Sequence, residues 1–437
     1  KTAVFWTDDS LPKKKSEVAS SPSLAKIISK FLEYLRQHDS LFMELFPKKL
    51  PETEQDKYMI SLLKKLSEHS RAKVLKKYPE YKHTLSEIHK LHQFIEELYN
   101  FWRSHERYLV CISHTENQFD KKKPKKTFRG TVNRINSLVR KVYRNTCENL
   151  TSSQPRIYRQ VPAGFQVGLI AMRKNWHCPE QYKNIHHIPF ITQALLYPPL
   201  IIDPPTNKRT GEFKKVVSNP LEGIEFKEGE WLCYPAKVAD LLIHVYFCNK
   251  FISLGCALSN LFELADKKEL HKKPDAIYAF GVPENSLDRY GNLPAVFYDD
   301  AKQNMLVAAV PCNDEFGYFG YLKKMALTLH NIIMMKRGRL PVHGAMVNVT
   351  LKNNASANII FVGDTGAGKS ESIEAFRVLG EKHIRSMTVI FDDMGSLEVD
   401  NKGKIKAYGT EVGAFVRLDD LQPGYAFGNI DRSIIMS

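Results

Sequence analysis

Gly363-Asp364-Thr365-Gly366-Ala367-Gly368-Lys369-Ser370, followed by Glu371, is the most specific stretch of the chain. It fits the phosphate-binding pattern of Gly, four residues, Gly-Lys-Ser. Asn358-Ile359-Ile360-Phe361-Val362 precedes it and predicts a buried strand. Ser370-Glu371-Ser372-Ile373-Glu374-Ala375-Phe376 follows and predicts a helix start with acidic residues in its first turns. Phosphate chemistry needs that order. Glycines let the backbone turn its N–H groups inward, and no Cβ blocks the anion. The helix N-terminus adds partial positive charge. Lys369 can then reach the β- and γ-phosphates, and the Ser370 hydroxyl can ligate the nucleotide's Mg²⁺. A chance glycine-rich turn would lack the strand before and the helix after.

A second acidic element follows. Met387-Thr388-Val389-Ile390-Phe391 predicts a strand, with Asp392-Asp393 at its end. Beside a phosphate loop, one of these carboxylates can hold Mg²⁺ or Mn²⁺ while the other orients water or a nucleophile. The plain alternative is a turn that favours Asp.

The chain has 437 residues, enough for two to four domains, and a hydrophobic content of 43% supports sizeable cores. The net charge of +15 is uneven: residues 1–150 hold 30 Lys and Arg against 18 Asp and Glu. A basic module there could face an acidic partner or nucleic acid, or it could be a solvated helical face. Cys111, Cys147, Cys178, Cys233, Cys248, Cys256 and Cys312 are scattered without a CxxC pair, which predicts buried thiols in a reducing, cytoplasmic setting. Neither a signal peptide nor a membrane-spanning apolar run is found. Lys1 in place of Met, and an apolar end at Ser433–Ser437, predict that the chain continues at both ends.

Residues 1–20 read as flexible. From Ser23 to about Arg144 the pattern is helical: Ile27, Ile28, Phe31, Leu32 and Leu35 recur at helical spacing, as do Ile88, Leu91, Phe94, Ile95 and Leu98. Lys121-Lys122-Lys123-Pro124-Lys125-Lys126 reads as a solvated loop between helices, without the interleaved aromatics of a base-stacking platform. From Gln154 prolines become frequent and short strands are predicted at Val167–Ala171, Leu200–Ile202, Ala276–Phe280 and Met305–Val310. Ala239–Phe247 is strongly apolar and leads into a predicted helix at Leu254–Leu258. His177, Cys178, His186 and His187 are the only other ligand-rich patch, and adjacent side chains rarely converge on one zinc. Arg159, Arg173 and Arg209 could hold an anionic substrate, or be ordinary surface arginines. Tyr321-Leu322-Lys323-Lys324 opens a predicted helix through Ile333. Leu340–Val349 is a predicted strand with His343 near its head, one hairpin before the phosphate loop.

Over residues 317–428, about a quarter of the chain, these features together resemble the phosphoenolpyruvate carboxykinase and HPr kinase superfamily. Its members carry a phosphate loop on a strand, an acidic pair on a later strand and a histidine on the strand before the loop. Gly363–Glu371 and His343-Gly344 resemble the HPr kinases. Gly320-Tyr321-Leu322-Lys323-Lys324 resembles a carboxykinase segment, and the interval from Lys324 to His343 is similar to the carboxykinase spacing of lysine and histidine metal ligands. Gly413-Ala414-Phe415-Val416-Arg417, Pro423 and Phe427-Gly428 echo a further carboxykinase stretch. The resemblance implies that Lys324, His343 and Asp393 bind Mn²⁺, that Lys369 holds the phosphates of ATP or GTP, and that Ser370 binds the nucleotide's Mg²⁺. Tyr321 departs from it, standing where carboxykinases have Glu, and a counterpart of the upstream substrate-arginine motif is not found.

The expected architecture is therefore α/β: a basic helical module at 1–150, an α/β domain at 151–316, and a mixed-sheet carboxykinase-like P-loop catalytic domain at 317–437. The expected function is nucleotide-dependent phosphotransfer of the carboxykinase kind, in which oxaloacetate and a nucleoside triphosphate give phosphoenolpyruvate, nucleoside diphosphate and CO₂. One alternative is an HPr-kinase-like enzyme in which Asp392 or Asp393 activates a hydroxyl of a protein or small molecule. The other is a non-catalytic ATP-binding regulatory module.

Overall fold

The computed structural model describes residues 2–7, 12–38, 40–113, 124–153, 163–197, 200–292, 294–363, 367–369, 372–373, 375–376, 380, 382–413, 415–417 and 434–436. Asp364, Thr365, Gly366, Ser370 and Glu371 of the loop, Arg159, Lys121–Lys123 and the 423–428 echo lie outside them. The chain divides into two compact units, residues 1–111 with 115–168, and residues 112–114 with 169–437.

The first unit is mostly helical. Its main helices are Pro22–Gln37, Glu52–Glu68, Ile88–Arg103 and Pro124–Thr151. Ser21 starts the first of these, its hydroxyl accepting from the Leu24 N–H at 3.1 Å, with Pro22 where a missing N–H costs nothing. The helical-period apolar residues face one core: Ile28, Phe31, Leu32 and Leu35 meet Leu62, Leu66, Leu91, Phe94 and Leu150. Two parallel strands accompany the helices, β1 (Thr2–Thr7) and β2 (Glu106–Ser113), with Thr2 opposite Glu106. This corrects the flexible reading of residues 1–20 and the all-helical reading to Arg144. The partner of β1 is a hundred residues away, so no local pattern announces the pairing. The basic tract is corrected in part: Lys125-Lys126 belong to the helix that Pro124 opens. The unit also runs past 150 to Gly168. Trp102 Nε1 donates to the Ala163 carbonyl at 2.6 Å, and Arg107 Nε to that of Gly164 at 2.7 Å, tying this segment to the helices.

The second unit is mixed α/β and shows no division at 316/317. Its strands are β3 (Val167–Met172), β4 (Phe190–Leu196), β5 (Leu200–Ile202), β6 (Phe213–Val216), β7 (Trp231–Val238), β8 (Leu241–Cys248), β9 (Glu263–Leu264), β10 (Ala276–Val282), β11 (Ala295–Asp300), β12 (Met305–Pro311), β13 (Leu340–Leu351), β14 (Ser356–Val362), β15 (Ile384–Val399), β16 (Ile405–Gly409), β17 (Phe415–Arg417) and β18 (Ile434–Met436). A large sheet takes the order β3-β4-β7-β8-β10-β12-β11-β6, and β5, β18 and β17 form a short parallel one. In the large sheet β8, β10 and β12 run parallel, while β7 and β11 pair antiparallel to their neighbours β8 and β12. Every residue of β8, β10 and β12 is buried. That is why they read as continuous apolar runs and not as alternating ones.

The site rests on a four-stranded antiparallel sheet, β14-β13-β15-β16, and on the helix Phe319–Lys336 that precedes it. Two expectations are corrected here. β14 is an edge strand and mostly exposed, with Ile360 and Val362 open to solvent. Its apolar sequence fits a strand but says nothing about what covers it. Asp392-Asp393 lie within β15, which continues to Val399, and do not end it. The strand crosses a register shift opposite Met346 and Val347 and is then held by β16, pairing that no local pattern encodes. Among the described residues, no helix is long and apolar enough to cross a membrane.

Candidate phosphate loop and metal site

Three strands bring the chosen residues into one row. Gly344 on β13 lies opposite Val362, the last residue of β14, and opposite Asp393 on β15. With strands about 4.8 Å apart, the start of the phosphate loop and Asp393 lie roughly 10 Å from one another across β13. Glycine is required at 344, since a Cβ there would sit 2.6 Å from the Phe361 carbonyl oxygen. The two aspartates separate by face. Asp392 lies opposite Ala345 and Asp393 opposite Gly344, and neighbours along a strand point to opposite sides. Ala345, Val347 and Val349 share a small core with Ile373 from beyond the loop. Asp392, exposed, is therefore on the loop-helix face of the sheet.

The described part of the loop has the backbone that its sequence predicts. Gly368 has φ +78, a left-handed conformation that glycine adopts without strain. Lys369, Ser372, Ile373, Ala375 and Phe376 are helical, and both the N–H and the hydroxyl of Ser372 donate to the Gly368 carbonyl, at 2.9 and 2.7 Å. The Phe376 ring packs on Phe361 of β14 at 5.8 Å, seating the helix on the strand.

Lys324, His343 and Asp393 come together. Lys324 Nζ lies 2.8 Å from Asp393 Oδ2 and 3.0 Å from Oδ1, and His343 Nε2 lies 3.2 Å from Oδ1. Lys324 stands on the second turn of its helix, His343 near the head of β13 and Asp393 mid-strand. Two further residues that the sequence did not single out complete the cluster. Lys323 Nζ is 2.7 Å from Asp393 and 2.8 Å from Glu411, and both Lys323 and Glu411 side chains are almost fully buried. Burial alone would raise the Asp393 carboxyl, but the charge and hydrogen bonds of Lys323, then those of Lys324, outweigh it and hold it at about 2. Burial works against the charged form of Lys323 too, yet Glu411 and Asp393 overcome it and raise that amine. The Lys323-Lys324 dipeptide was a signal for the first of these; nothing local marked Glu411.

The Tyr321 departure has a structural role. Its side chain is fully buried, and its phenolic oxygen accepts from the Thr210 and Gly211 N–H groups at 3.0 and 2.7 Å. That contact docks the loop after Arg209 onto the first turn of the lysine-bearing helix, while Arg209 itself stacks on Phe213 at 4.6 Å. Arg173 instead pairs with Glu228. The His177 patch does not converge among the described residues. Cys178 points its thiol at the Tyr182 carbonyl, His187 bonds the Phe226 carbonyl, and His186 packs on Trp176.

A carboxylate with an amine nitrogen at 2.8 Å and an imidazole nitrogen at 3.2 Å is a donor set that suits Mn²⁺ or another divalent ion, provided the lysine ligates as the neutral amine. Neither a scan against protein-family models nor a search of curated proteins finds a match to this chain.

Proposed function

We propose that this chain is a nucleotide-dependent phosphotransferase with a carboxykinase-like metal site. The observation that carries the reading is the contact of both Lys324 and His343 with Asp393, one strand from the candidate phosphate loop. An HPr-kinase-like site has no need of a lysine there. Lys324, His343 and Asp393 would hold Mn²⁺, and Ser370 with the loop would hold the Mg²⁺ of ATP or GTP. Such ions supply Lewis-acid neutralisation of charge on the transferring phosphoryl group and its acceptor.

The protein's own residues do the rest. The N–H groups of the loop and Lys369 bind and orient the nucleotide phosphates. Lys323 neutralises Glu411 and keeps Asp393 ionised, so a carboxylate is ready at the cation site. Lys324, which contacts Asp393 directly, would turn its amine nitrogen to the ion instead. Asp392, exposed on the loop-helix face, would orient the nucleotide's ion or a nucleophile.

The test is turnover of the full chain with ATP or GTP and Mn²⁺, with and without oxaloacetate, following CO₂ release. Oxaloacetate- and nucleotide-dependent CO₂ release that is lost in Lys324→Ala supports the proposal. Nucleotide turnover that ignores oxaloacetate and survives Lys324→Ala would replace it with kinase activity, and binding without turnover would replace it with a regulatory role.

A further inference from the structure

The helical unit carries a cluster that the phosphotransfer reading does not use. His92 and Glu96 lie one turn apart on the helix Ile88–Arg103, and Cys147 comes from the helix Pro124–Thr151. His92 Nε2 is 3.7 Å from Glu96 Oε1, Cys147 Sγ is 3.9 Å from the same oxygen, and all three donor atoms lie within 4.8 Å of one another. Among the described residues, this is the one group of three or more His, Cys, Asp or Glu side chains with that spacing.

The spacing matches a metal's demands. Tetrahedral zinc, at about 2.0–2.3 Å from N, O and S donors, places them about 3.3–3.6 Å apart, so closing this cluster takes side-chain shifts of a few tenths of an ångström at Glu96 and of up to about 1.5 Å between His92 and Cys147. The donor set of imidazole, carboxylate and thiolate selects zinc over calcium or magnesium, which prefer oxygen alone. The carboxylate is also oriented from outside. The Tyr143 hydroxyl, one turn before Cys147, donates to Glu96 Oε1 at 2.6 Å, and the Tyr143 ring stacks on Tyr99 at 3.9 Å. Ligating carboxylates are commonly fixed by such a partner. His92 and Glu96 are each more than a third exposed, which leaves a path for the ion and a side open to solvent.

We infer that His92, Glu96 and Cys147 form a zinc-binding site that clamps the two helices and leaves a fourth position open to water or a further ligand. On binding, an Sγ–zinc bond replaces the S–H bond of Cys147 and the proton leaves to solvent. In the structure Tyr143 and Cys147 donate to Glu96 Oε1, and His92 faces the same oxygen at 3.7 Å.

Cobalt titration of the full chain, under reducing conditions, tests this. The expected result is a thiolate-to-cobalt absorption band in the near ultraviolet that saturates at about one equivalent and is displaced by Zn²⁺. The Lys324, His343 and Asp393 cluster contains no sulfur and cannot give that band. Cys147→Ser should abolish it, and His92→Ala, at an exposed position, should weaken cobalt binding at least tenfold with the helical circular dichroism unchanged. A band that persists in Cys147→Ser would assign the metal to other thiols, of which Cys248 and Cys312, 3.4 Å apart, are the nearest pair. That outcome, or no band at stoichiometric cobalt, overturns the inference.

Discussion

Two sheets of the second unit differ in what their apolar residues do. In the large sheet, β8, β10 and β12 are buried along their whole length. In the four-stranded sheet that carries the site, Leu340, Leu351, Ile360, Val362, Val389, Val399 and Ile405 are exposed. Both sets of strands are rich in Val and Ile, so strand propensity does not separate them. What separates them is covering. The first sheet is stabilised by apolar area removed from water. The second is held where it matters by charge: Lys323, buried between Asp393 and Glu411, joins the helix Phe319–Lys336 to β15 and to the segment after β16. The candidate site lies on the more open sheet.

The largest expected effect tests that division. Lys323→Ala leaves Glu411 buried without its cation and Asp393 with Lys324 but not Lys323, and should cost about 3–5 kcal/mol in denaturant unfolding, because unpaired buried charge is expensive. A cost below about 1 kcal/mol would mean that the cluster is not structural, and that the open sheet is held by packing like its neighbour.

The buried sheet has its own vulnerability. His244 on β8 is enclosed by Trp176 and Phe190, with ring centroids at 5.0 and 4.8 Å, and neither ring nitrogen has a hydrogen-bond partner. Burial lowers its imidazole to about 3. A depressed base means that the unfolded chain takes up a proton between pH 6.5 and 3 while the folded one does not. Stability is therefore full above pH 6.5 and falls as pH drops, by about 2 kcal/mol between pH 7 and 5 from this residue alone. His244→Phe should remove that loss, read from denaturant midpoints at the two pH values. An unchanged pH dependence would show that the ring is protonated or hydrated in the native state.

A smaller effect belongs to the loop. Lys369→Ala should weaken nucleotide binding about tenfold, or ~1.4 kcal/mol, by calorimetry, without changing unfolding stability. Unchanged affinity in a folded variant would remove the phosphate loop from the reading. Smallest of all, Val362→Thr on the exposed edge should change stability by less than about 0.5 kcal/mol. A loss of several times that amount would show that the edge strand is covered in solution, and the contrast between the sheets would fail.

Much of this was legible in sequence because its cause is local. The helices of the first unit follow from the 3.6-residue spacing of Ile28, Phe31, Leu32 and Leu35. The loop after β14 follows from glycines that only certain backbone angles require, as Gly368 shows. The Lys324–His343 interval pointed to residues that both reach Asp393, and apolar runs gave strands at β10 and β12. Other features escaped because their partners are remote in the chain. Thr2 pairs with Glu106, Tyr321 with the loop at Thr210 and Gly211, and Lys323 with Glu411.

By itself, then, the sequence determined the main helices, the apolar strands β10 and β12 and the glycine-rich turn at Gly368, since propensity, periodicity and turn chemistry act over a few residues. Only the tertiary structure decided which strands are covered, that β1 exists as a paired strand, that Asp392 and Asp393 part to opposite faces in mid-strand, and that Lys323 and Glu411 join the cluster around Asp393. Strand register and charge pairing depend on contacts between residues tens of positions apart, and those distances are fixed only when the whole chain has folded.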